Sequence, residues 1–302
     1  MPGEQPKDQV DSENESLGRS LSSKDVSAVI CTMNSISGIR ECLSSLRESG
    51  VGEIIVVDAS STDGTKEVAL ECADLLLSDP GTGLGRARNT GIERTTKPLI
   101  LNMGSDNVLP VGELQKMIDY LIKNDYQGVS AQTVIEGDDW ISKGLNAWRE
   151  GRFREGEAFV IGTPTLFLGD LLRANPYDPS RVFSDDSELC ERWTREFGAR
   201  FGISDAVTRE IGKTSWDEVK IRCRMYGESD AEIFSHGSHT GWSCRRKLTS
   251  LSRPMRTDFL MPLRQRTENQ NLSSIFFLAV FTSMRYASWA RYFWNRRQQP
   301  PP

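Results

Sequence analysis

The chain has 302 residues and a formal net charge of -5, with 37% hydrophobic and 26% charged residues. This length and composition suit one large or two modest globular domains with a sizeable core, and the acidic balance argues against a general nucleic-acid binder. The six cysteines show no metal-ligand spacing, so we expect reduced core thiols rather than disulfides or a zinc site.

The first 24 residues are polar and contain no apolar stretch that resembles a signal peptide. We expect this segment to be a disordered tail, because it has too few apolar residues to bury. With no secretion signal in view, we expect a cytoplasmic protein.

Apolar runs alternate with helical patterns over residues 26–123. The runs VSAVICTM (26–33), EIIVVDAS (53–60) and TKPLILNM (96–103) predict buried strands. Helical spacing follows each run, most clearly in ELQKMIDYLIK (113–123). This alternation, with fully apolar strands, predicts a parallel α/β sheet in which ligands bind at the carboxyl ends of the strands.

Polar residues stand where these strands end. Thr32 and Asn34 follow the first run, Asp58 ends the second, and Asp106 follows the third. A carboxylate at a buried edge must be solvated, paired or bound to a metal. Taken alone, Asp106 is better explained as a turn or helix N-cap residue. The convergence of three segments on one edge favours a binding site.

The pattern is less regular after residue 125. GVSAQTVI (128–135) and GEAFVIGTPTLFL (156–168) predict two further strands. SELCERWTREFG (187–198) and TSWDEVKIRCRMYG (214–227) predict helices. Trp140 and Trp148, which lie between the two strands, suit either core packing, the favoured alternative, or stacking on an acceptor.

Five segments, in chain order, carry a resemblance to a known family: VSAVICTMNS, EIIVVDASSTDGT, GLGRARNTG, NMGSDNVLP and FSDDSELCERW. Together they resemble the family-2 glycosyltransferases of the GT-A fold, over roughly residues 26 to 195. The resemblance implies a Rossmann-like α/β fold, with a mostly parallel sheet flanked by helices. It also implies metal-dependent transfer of a sugar, with inversion, from a nucleotide-sugar donor to an acceptor hydroxyl.

The resemblance further implies which residues contact the donor. Asp58 and the Thr32–Asn34 turn would contact the nucleoside, and a cation at the start of a helix suits phosphate. The nucleotide-sugar-binding residues implied in this way are Thr32, Asn34, Asp58, Arg88, Asn89 and Ser105. A solvated helix position is the alternative for Arg88.

By the same resemblance, Asp106 would bind Mn²⁺ or Mg²⁺, and Asp186 would be the general base. Asp186 is preferred to Asp185 because it takes the register of the family's aspartate, although both could simply cap the following helix. His236 and His239 are the only histidines. One of them could be a further metal ligand, and a pair in a surface loop is the equal alternative.

The chain departs from the family pattern at two positions. Gly104 takes the place of the first motif aspartate, and Ala59 follows Asp58 where many members have a second aspartate. The first change should weaken donor or metal binding, and the second leaves the nucleotide open among UDP, the family default, GDP and dTDP. A non-catalytic module that binds a nucleotide-sugar is therefore carried as the alternative function.

The segment SIFFLAVFTSMRYASWARYFWNRR (274–297) is apolar, aromatic and basic, but its uninterrupted apolar run is too short to span a bilayer. It predicts a helix that either contacts a membrane surface, where lipid-linked acceptors lie, or packs on the catalytic domain. The expected acceptor is a glycan or a lipid-linked molecule. We expect four regions: a tail (1–24), a nucleotide-sugar-binding half (25–125) and an acceptor half (126–245) of one GT-A domain, and a helical extension (246–302).

Overall fold

A computed structural model of the chain describes residues 21–79, 81, 83–179, 185–212, 214–239, 241–265 and 271–297, with the backbone alone at 236–239, 296 and 297. The predicted disordered tail lies outside the described residues up to residue 20, and a short 3₁₀ turn follows at Ser23–Asp25. The elements of the first half are β1 (Val26–Thr32), α1 (Ile39–Glu48), β2 (Glu53–Asp58), α2 (Thr65–Cys72), β3 (Leu75–Ser78), α3 (Leu84–Ile92), β4 (Leu99–Gly104), β5 (Asn107–Val108) and α4 (Glu113–Lys123).

The second half continues with β6 (Gly128–Ile135), α5 (Trp140–Arg152), β7 (Gly156–Ala158), β8 (Thr165–Leu168), α6 (Gly169–Ala174), α7 (Asp185–Phe197), β9 (Phe201–Glu210) and α8 (Trp216–His239). The remaining elements are α9 (Cys244–Leu251), a π-helical stretch (Met255–Leu260), α10 (Met261–Gln265) and α11 (Leu272–Arg297). The helical C-terminal extension is therefore confirmed.

In the described part of the chain, nine strands form one sheet in the order β3-β2-β1-β4-β8-β6-β9-β5, with β7 paired to β9. The sheet is mixed. Strands β3, β2, β1 and β4 pair in parallel, whereas β8 runs antiparallel to both β4 and β6. The parallel part is the predicted nucleotide-sugar-binding half. Helices flank the sheet, as the sequence predicted.

Both faces of the parallel strands are buried, which explains their unbroken apolar runs. On β1, Ala28 and Ile30 face a core formed with α1 and α4, whereas Val29 faces a second core that includes Phe167 and Trp193. Because successive side chains of a strand point to opposite faces, each strand contributes to both cores. A sheet buried in this way exposes its polar chemistry mainly at the strand ends.

The predicted strand over 156–168 is in fact two short strands, β7 and β8, which pair with different partners. Phe159, between them, is 92% exposed. Strand β9 had no counterpart among the predicted elements. It pairs in parallel with β6 and carries Glu210 at its end, opposite Asn107.

A third core joins α5, α8 and α11. Phe277, Leu278 and Phe281 of α11 are buried there against Trp148 and other apolar residues. The packing alternative for the C-terminal segment therefore holds for this face of α11. In the described part of the chain, no helix has the length and apolarity needed to cross a membrane.

A buried ion-pair cluster fixes α11 in this position. Arg285 donates from Nε to Asp230 Oδ2 at 2.7 Å and from a terminal nitrogen to Asp258 Oδ2 at 2.6 Å. Burial tends to lower the pKa of Arg285, but Asp258 and Asp230 outweigh it and hold the pKa above its ordinary value. Arg285 therefore belongs to the packed side of α11, where it is 3% exposed.

All six cysteines are free thiols, and three of them, Cys42, Cys190 and Cys223, are buried. Burial raises the pKa of each of these three thiols, so they remain protonated at neutral pH. The prediction of reduced core thiols holds for these three, whereas Cys31 and Cys72 are partly exposed and Cys244 is exposed.

Candidate active site

The register of the parallel strands brings four strand ends to one edge. Thr32 lies opposite Asp58, Asp58 opposite Ser78, and Cys31 opposite Gly104. Thr32 Oγ1 and Asp58 Oδ1 are buried and accept or donate no hydrogen bond within the described residues. Leaving such groups unpaired costs free energy, and a polar ligand bound at this edge would supply the missing hydrogen bonds.

The turn after β1 is tied to the loop after β2. Asn34 has a φ of 50°, in the left-handed region that asparagine tolerates. Its side-chain oxygen accepts a hydrogen bond from the backbone N–H of Thr62 at 2.9 Å, and its backbone N–H donates to Ser61 Oγ at 2.8 Å. In this structure, Asn34 therefore shapes the loop, and its contact with a nucleoside stays a prediction.

A cavity of about 490 Å³ opens at the end of β4. Among its lining residues are Arg88, Ser105 and Asp106, which the sequence predicted for the site, and Cys31, the neighbour of Thr32. Ser105 Oγ donates to Ser35 Oγ at 2.9 Å. Three of the predicted residues thus share one cavity, whereas Thr32, Asn34 and Asp58 lie at the same sheet edge without lining it.

Gly104 and Asp106 are in close contact. A Cβ atom at Gly104 would lie 2.6 Å from Asp106 Oδ1, so the carboxylate occupies the space that a side chain at position 104 would take. The Asp106 carbonyl accepts a hydrogen bond from the Ile211 amide at 2.8 Å, which ties this loop to the end of β9. The glycine is therefore what permits this position of Asp106.

Within the described residues, no group of three or more His, Cys, Asp or Glu side chains is arranged to hold a metal ion. Helix α8 runs through both His236 and His239, in place of the predicted loop, but their side chains lie outside the described part of the chain. A single carboxylate on an open cavity still suits Mg²⁺ or Mn²⁺, because such ions commonly take one or two carboxylates and complete their shell with substrate phosphates and water. Asp106 fits that description.

Arg88 joins the start of α7 to the cavity. Its guanidinium donates to Asp185 Oδ2, to Asp186 Oδ1 and to Thr163 Oγ1, each at 2.7 Å. Burial tends to lower the pKa of Arg88, but Asp186 and Asp185 outweigh it and raise the pKa well above its ordinary value. Arg88 is therefore a permanent cation held between two carboxylates.

Asp185 is the more buried of the two carboxylates. Burial raises its pKa from an ordinary 3.8 to about 6, against the attraction of Arg88 and together with the repulsion from Asp186. Two neighbouring carboxylates with one guanidinium between them carry a net negative charge when both are ionised. One proton on the pair relieves that charge.

Both the nitrogen and the oxygen of the Asn89 side chain form hydrogen bonds with the backbone of Tyr177. Its amide nitrogen donates to the Tyr177 carbonyl at 2.8 Å, and its oxygen accepts from the Tyr177 amide at 3.0 Å. Arg88 lies over the ring of Tyr177, 5.0 Å from its centroid. In this structure the Arg88–Asn89 pair therefore positions Tyr177 and the two aspartates, and a direct contact of either residue with a diphosphate stays a prediction.

A second cavity of about 230 Å³ adjoins the first. Asp186 lines it, together with the aromatic residues Trp148, Phe153 and Tyr226. Both cavities share the same three residues in their walls, namely Arg149, Thr163 and Tyr226. Asp106 and Asp186 thus lie on two cavities that meet at a common wall.

The first cavity also contains two arginines and a glutamate that the sequence did not predict. Glu210 accepts hydrogen bonds from both Arg149 and Arg222, the latter at 2.7 Å, and all three residues line the first cavity. A signal was present in the sequence, because each arginine shares a helix face with a buried apolar residue. Arg149 lies four residues after the buried Leu145, and Arg222 lies three residues after the buried Val219.

Comparison with known proteins identifies the family. The sequence model of Glycosyl transferase family 2 matches residues 27–177, which is half of the chain. The chain belongs to Glycosyl transferase family 2. The match contains β1 to β4, with Asp58, Arg88 and Asp106, and it ends at Tyr177.

Proteins with detectable sequence similarity include Glycosyltransferase AglJ of Haloferax volcanii, which is 30% identical over 91 residues, 30% of each chain. The amylovoran biosynthesis glycosyltransferase AmsE of Erwinia amylovora is 28% identical over 109 residues, 33% of this chain and 41% of that protein. The matched segments thus span less than half of these relatives. Mannosyltransferase PcManGT of Pyrobaculum calidifontis, solved in complex with GDP-Man and Mn²⁺, has a TM-score of 0.61 at 17% identity, and the alignment covers 90% of this chain and 88% of that one. This likeness shows the GT-A fold, as the sequence predicted.

Proposed function

We propose that the protein is an inverting glycosyltransferase that moves a sugar from a nucleotide-sugar donor to an acceptor hydroxyl. The observation that carries the proposal is the meeting of two cavities, one lined by Asp106 and the other by Asp186, at a wall that contains Thr163. A single-displacement transfer needs donor and acceptor side by side, with a base on the acceptor side and charge stabilisation on the donor side.

The donor would lie along the edge formed by the ends of β1, β2 and β4. Thr32 Oγ1 and Asp58 Oδ1 are available there for the nucleoside, and the larger cavity would hold the diphosphate and the sugar. Asp106 would hold a divalent cation, which supplies charge neutralisation on the departing nucleoside diphosphate. PcManGT, which shares the fold, was solved with GDP-Man and Mn²⁺, and this supports metal use here.

The acceptor would occupy the second cavity. Asp186 would take the proton of the acceptor hydroxyl while that oxygen forms a bond to the anomeric carbon and the bond from that carbon to the donor phosphate breaks. Arg88, Thr163 and Tyr177 hold the Asp186 carboxylate in place through hydrogen bonds. Trp148, Phe153 and Tyr226 give this cavity aromatic walls, which suit the apolar faces of a sugar ring or the start of a lipid chain.

A UDP-sugar is the proposed donor to test first, with GDP- and dTDP-sugars as alternatives because Ala59 follows Asp58. The acceptor class is a glycan or a lipid-linked molecule of the kind used in polysaccharide or glycolipid assembly. The name of AmsE, an amylovoran biosynthesis glycosyltransferase, supports this setting. We place the reaction in the cytoplasm, at a membrane surface.

The test is thermal unfolding with UDP, GDP and dTDP, with and without Mn²⁺, together with an assay for release of the nucleoside diphosphate from the matching donor. Asp106→Asn should lose the metal-dependent rise in Tm. Asp186→Asn should keep that rise and lose turnover by roughly a hundredfold or more. Asp170→Asn, at a side chain that is 96% exposed, is the matched control and should behave as wild type.

Two results would overturn the proposal in different ways. If no nucleotide at millimolar concentration raises Tm, with or without Mn²⁺, the donor site is wrong. If a nucleotide binds with metal and yet neither transfer nor hydrolysis of its sugar donor occurs over a panel of acceptors, the protein is the alternative, a non-catalytic nucleotide-sugar-binding module. Gly104 is the departure that would then explain the lost activity.

A further inference from the structure

Helix α11 does not present its most apolar face to solvent. Phe277, Leu278 and Phe281 are buried against α5 and α8, and Arg285 is buried in its ion-pair cluster. The apolar residues that the sequence assigned to membrane contact therefore belong largely to the protein core. A lipid-binding surface would therefore have to be formed by residues outside this face of α11.

Helix α9 and the stretch that follows it have the opposite character. No residue of α9 is buried. Leu248, Leu251 and Met255 are 66%, 39% and 41% exposed, respectively. Their spacing of three and four residues places them along one side of a helix. A surface helix of a globular protein normally packs such an apolar stripe against the core. In α9 and the following stretch, the stripe faces the solvent instead.

Positive charge surrounds this apolar stripe. Residues 242–257 contain five basic residues and no acidic one, in a chain whose net charge is -5. The basic residues are Arg245, Arg246, Lys247, Arg253 and Arg256. Among the described residues, carboxylates from elsewhere approach only loosely, with Glu191 3.9 Å from Arg246 and Asp230 3.9 Å from Arg253. The charge of the segment is therefore open to an outside partner.

We propose that residues 242–257, called the basic face below, dock on an anionic lipid surface. Exposed leucine and methionine side chains would enter the boundary between head groups and acyl chains, while the arginines and Lys247 contact lipid phosphates. A nucleic acid would pair with the basic residues but would leave the apolar stripe exposed. An anionic lipid surface would both pair with the basic residues and bury the apolar stripe. The inference assigns a docking surface to the membrane location given under the proposed function, and it does not depend on the transfer reaction.

Sedimentation of the full chain with phospholipid vesicles tests the inference. Vesicles of phosphatidylcholine alone are compared with vesicles that also contain phosphatidylglycerol. The protein should sediment with the anionic vesicles, sediment poorly with the neutral ones, and dissociate as the salt concentration rises. The double variants Leu248→Ser with Leu251→Ser, and Arg245→Gln with Lys247→Gln, should each reduce the bound fraction, with apparent affinity falling about tenfold.

Leu70→Ser is the matched control. Leu70 is 64% exposed on α2, in the nucleotide-sugar-binding half, and its variant should bind vesicles as the wild type does. Because all the substituted side chains reach solvent, circular dichroism and Tm should confirm that each variant folds. The inference is overturned if the wild type does not sediment with anionic vesicles. It is also overturned if the Leu70→Ser variant loses as much binding as the double variant at Leu248 and Leu251. Loss of binding in the basic variant alone would equally overturn insertion of the apolar stripe.

Discussion

The phenol hydroxyl of Tyr177 donates a hydrogen bond to Asp186 Oδ1 at 3.1 Å and accepts one from the amide of Asn102, also at 3.1 Å. Asn102 belongs to β4, two residues before Gly104, and Asp186 lies in the first turn of α7. Tyr177 thus links the proposed base to β4, the strand that ends two residues before the proposed metal ligand Asp106. It touches neither reactant in the proposed mechanism, so it is a positioning residue.

Removal of this hydroxyl should slow turnover without affecting donor binding. Burial and the charge of Asp186 hold the pKa of Tyr177 well above its ordinary value, so it remains a donor at neutral pH. We expect Tyr177→Phe to lower kcat roughly tenfold, the worth of one hydrogen bond to a charged group. The KM for the donor should stay unchanged, because the hydroxyl bonds to Asp186 and Asn102 and not to the residues proposed to bind the donor.

Tyr120→Phe, a hydroxyl removal on α4 outside both cavities, is the control for this experiment. Its kcat and its KM for the donor should match those of the wild type. A Tyr177→Phe enzyme that loses thermal stability but keeps its kcat would show that the tyrosine supports the fold alone.

The raised pKa of Asp185 should make stability depend on pH. Its pKa in the folded state is about 6, against an ordinary 3.8, so the folded state binds the proton more tightly than the unfolded chain does. The resulting stabilisation is fully present below about pH 4 and is lost as the pH rises through about 6. Asp185→Asn, which cannot ionise, should therefore gain stability relative to the wild type between these values.

Urea unfolding at several pH values, from about 4 to about 7.5, measures this difference. Because Asp186 lies beside Asp185, the midpoint of the change belongs to the pair. A difference in the free energy of unfolding that stays constant over the whole range would contradict the assignment of the raised pKa to this pair.

A methyl group at position 104 should weaken metal-dependent nucleotide binding. The new Cβ would lie 2.6 Å from Asp106 Oδ1 and 3.1 Å from Asn107 Oδ1, so both side chains must move. We expect Gly104→Ala to bind the nucleotide with Mn²⁺ about tenfold more weakly by calorimetry. Since the displaced atoms are side-chain ends at a cavity, the free energy of unfolding should change by less than about 1 kcal/mol.

Gly162→Ala provides the comparison, because its Cβ would meet only Phe153, at 3.8 Å, on the wall of the second cavity. It should leave nucleotide affinity unchanged. Equal or tighter nucleotide binding by Gly104→Ala would mean that the position of Asp106 over Gly104 is not the one that binds metal.

Arg285→Met should destabilise the protein strongly. The substitution leaves Asp230 and Asp258 buried without their shared cation, and breaking a buried ion pair in this way costs about 3–5 kcal/mol. Arg291→Met, at an exposed position of the same helix, should change the free energy of unfolding by about 0.5 kcal/mol or less. Denaturant unfolding measures both variants, and losses of similar size would show that the cluster does not hold α11 in place.

The parallel half of the sheet could be predicted from the sequence because its strands are buried on both faces and read as unbroken apolar runs. Strand β9 could not be predicted, because several of its polar residues are buried while an apolar residue is partly exposed, which is the reverse of the usual pattern. Ser204, Thr208 and Glu210 are buried, whereas Val207 is partly exposed. The buried polar side chains bond to neighbouring strands and to cavity arginines, as Ser204 Oγ does to the Ser130 carbonyl. Such partners exist only in the folded chain.

The residues of the candidate site also fall into two groups, those that the sequence predicts and those that it does not. Asp58, Arg88 and Asp106 stand in local motifs beside strand ends and could be found from the sequence. Tyr177 could not, because it follows α6 in an irregular segment and acquires its role from Asn89 and Asp186. Pairing of Arg88 with Asp185 joins residues 97 positions apart, and no local pattern records such a contact.

Trp148, in the wall of the second cavity, packs on Phe281 of α11 with ring centroids 5.2 Å apart. The segment matched by the family model ends at residue 177, so this support comes from a part of the chain that the shared family pattern does not constrain. A substitution at Phe281 can therefore reshape the second cavity without a change in β1 to β4. Under the proposed reaction, such a substitution would alter the choice of acceptor and leave the choice of nucleotide unchanged.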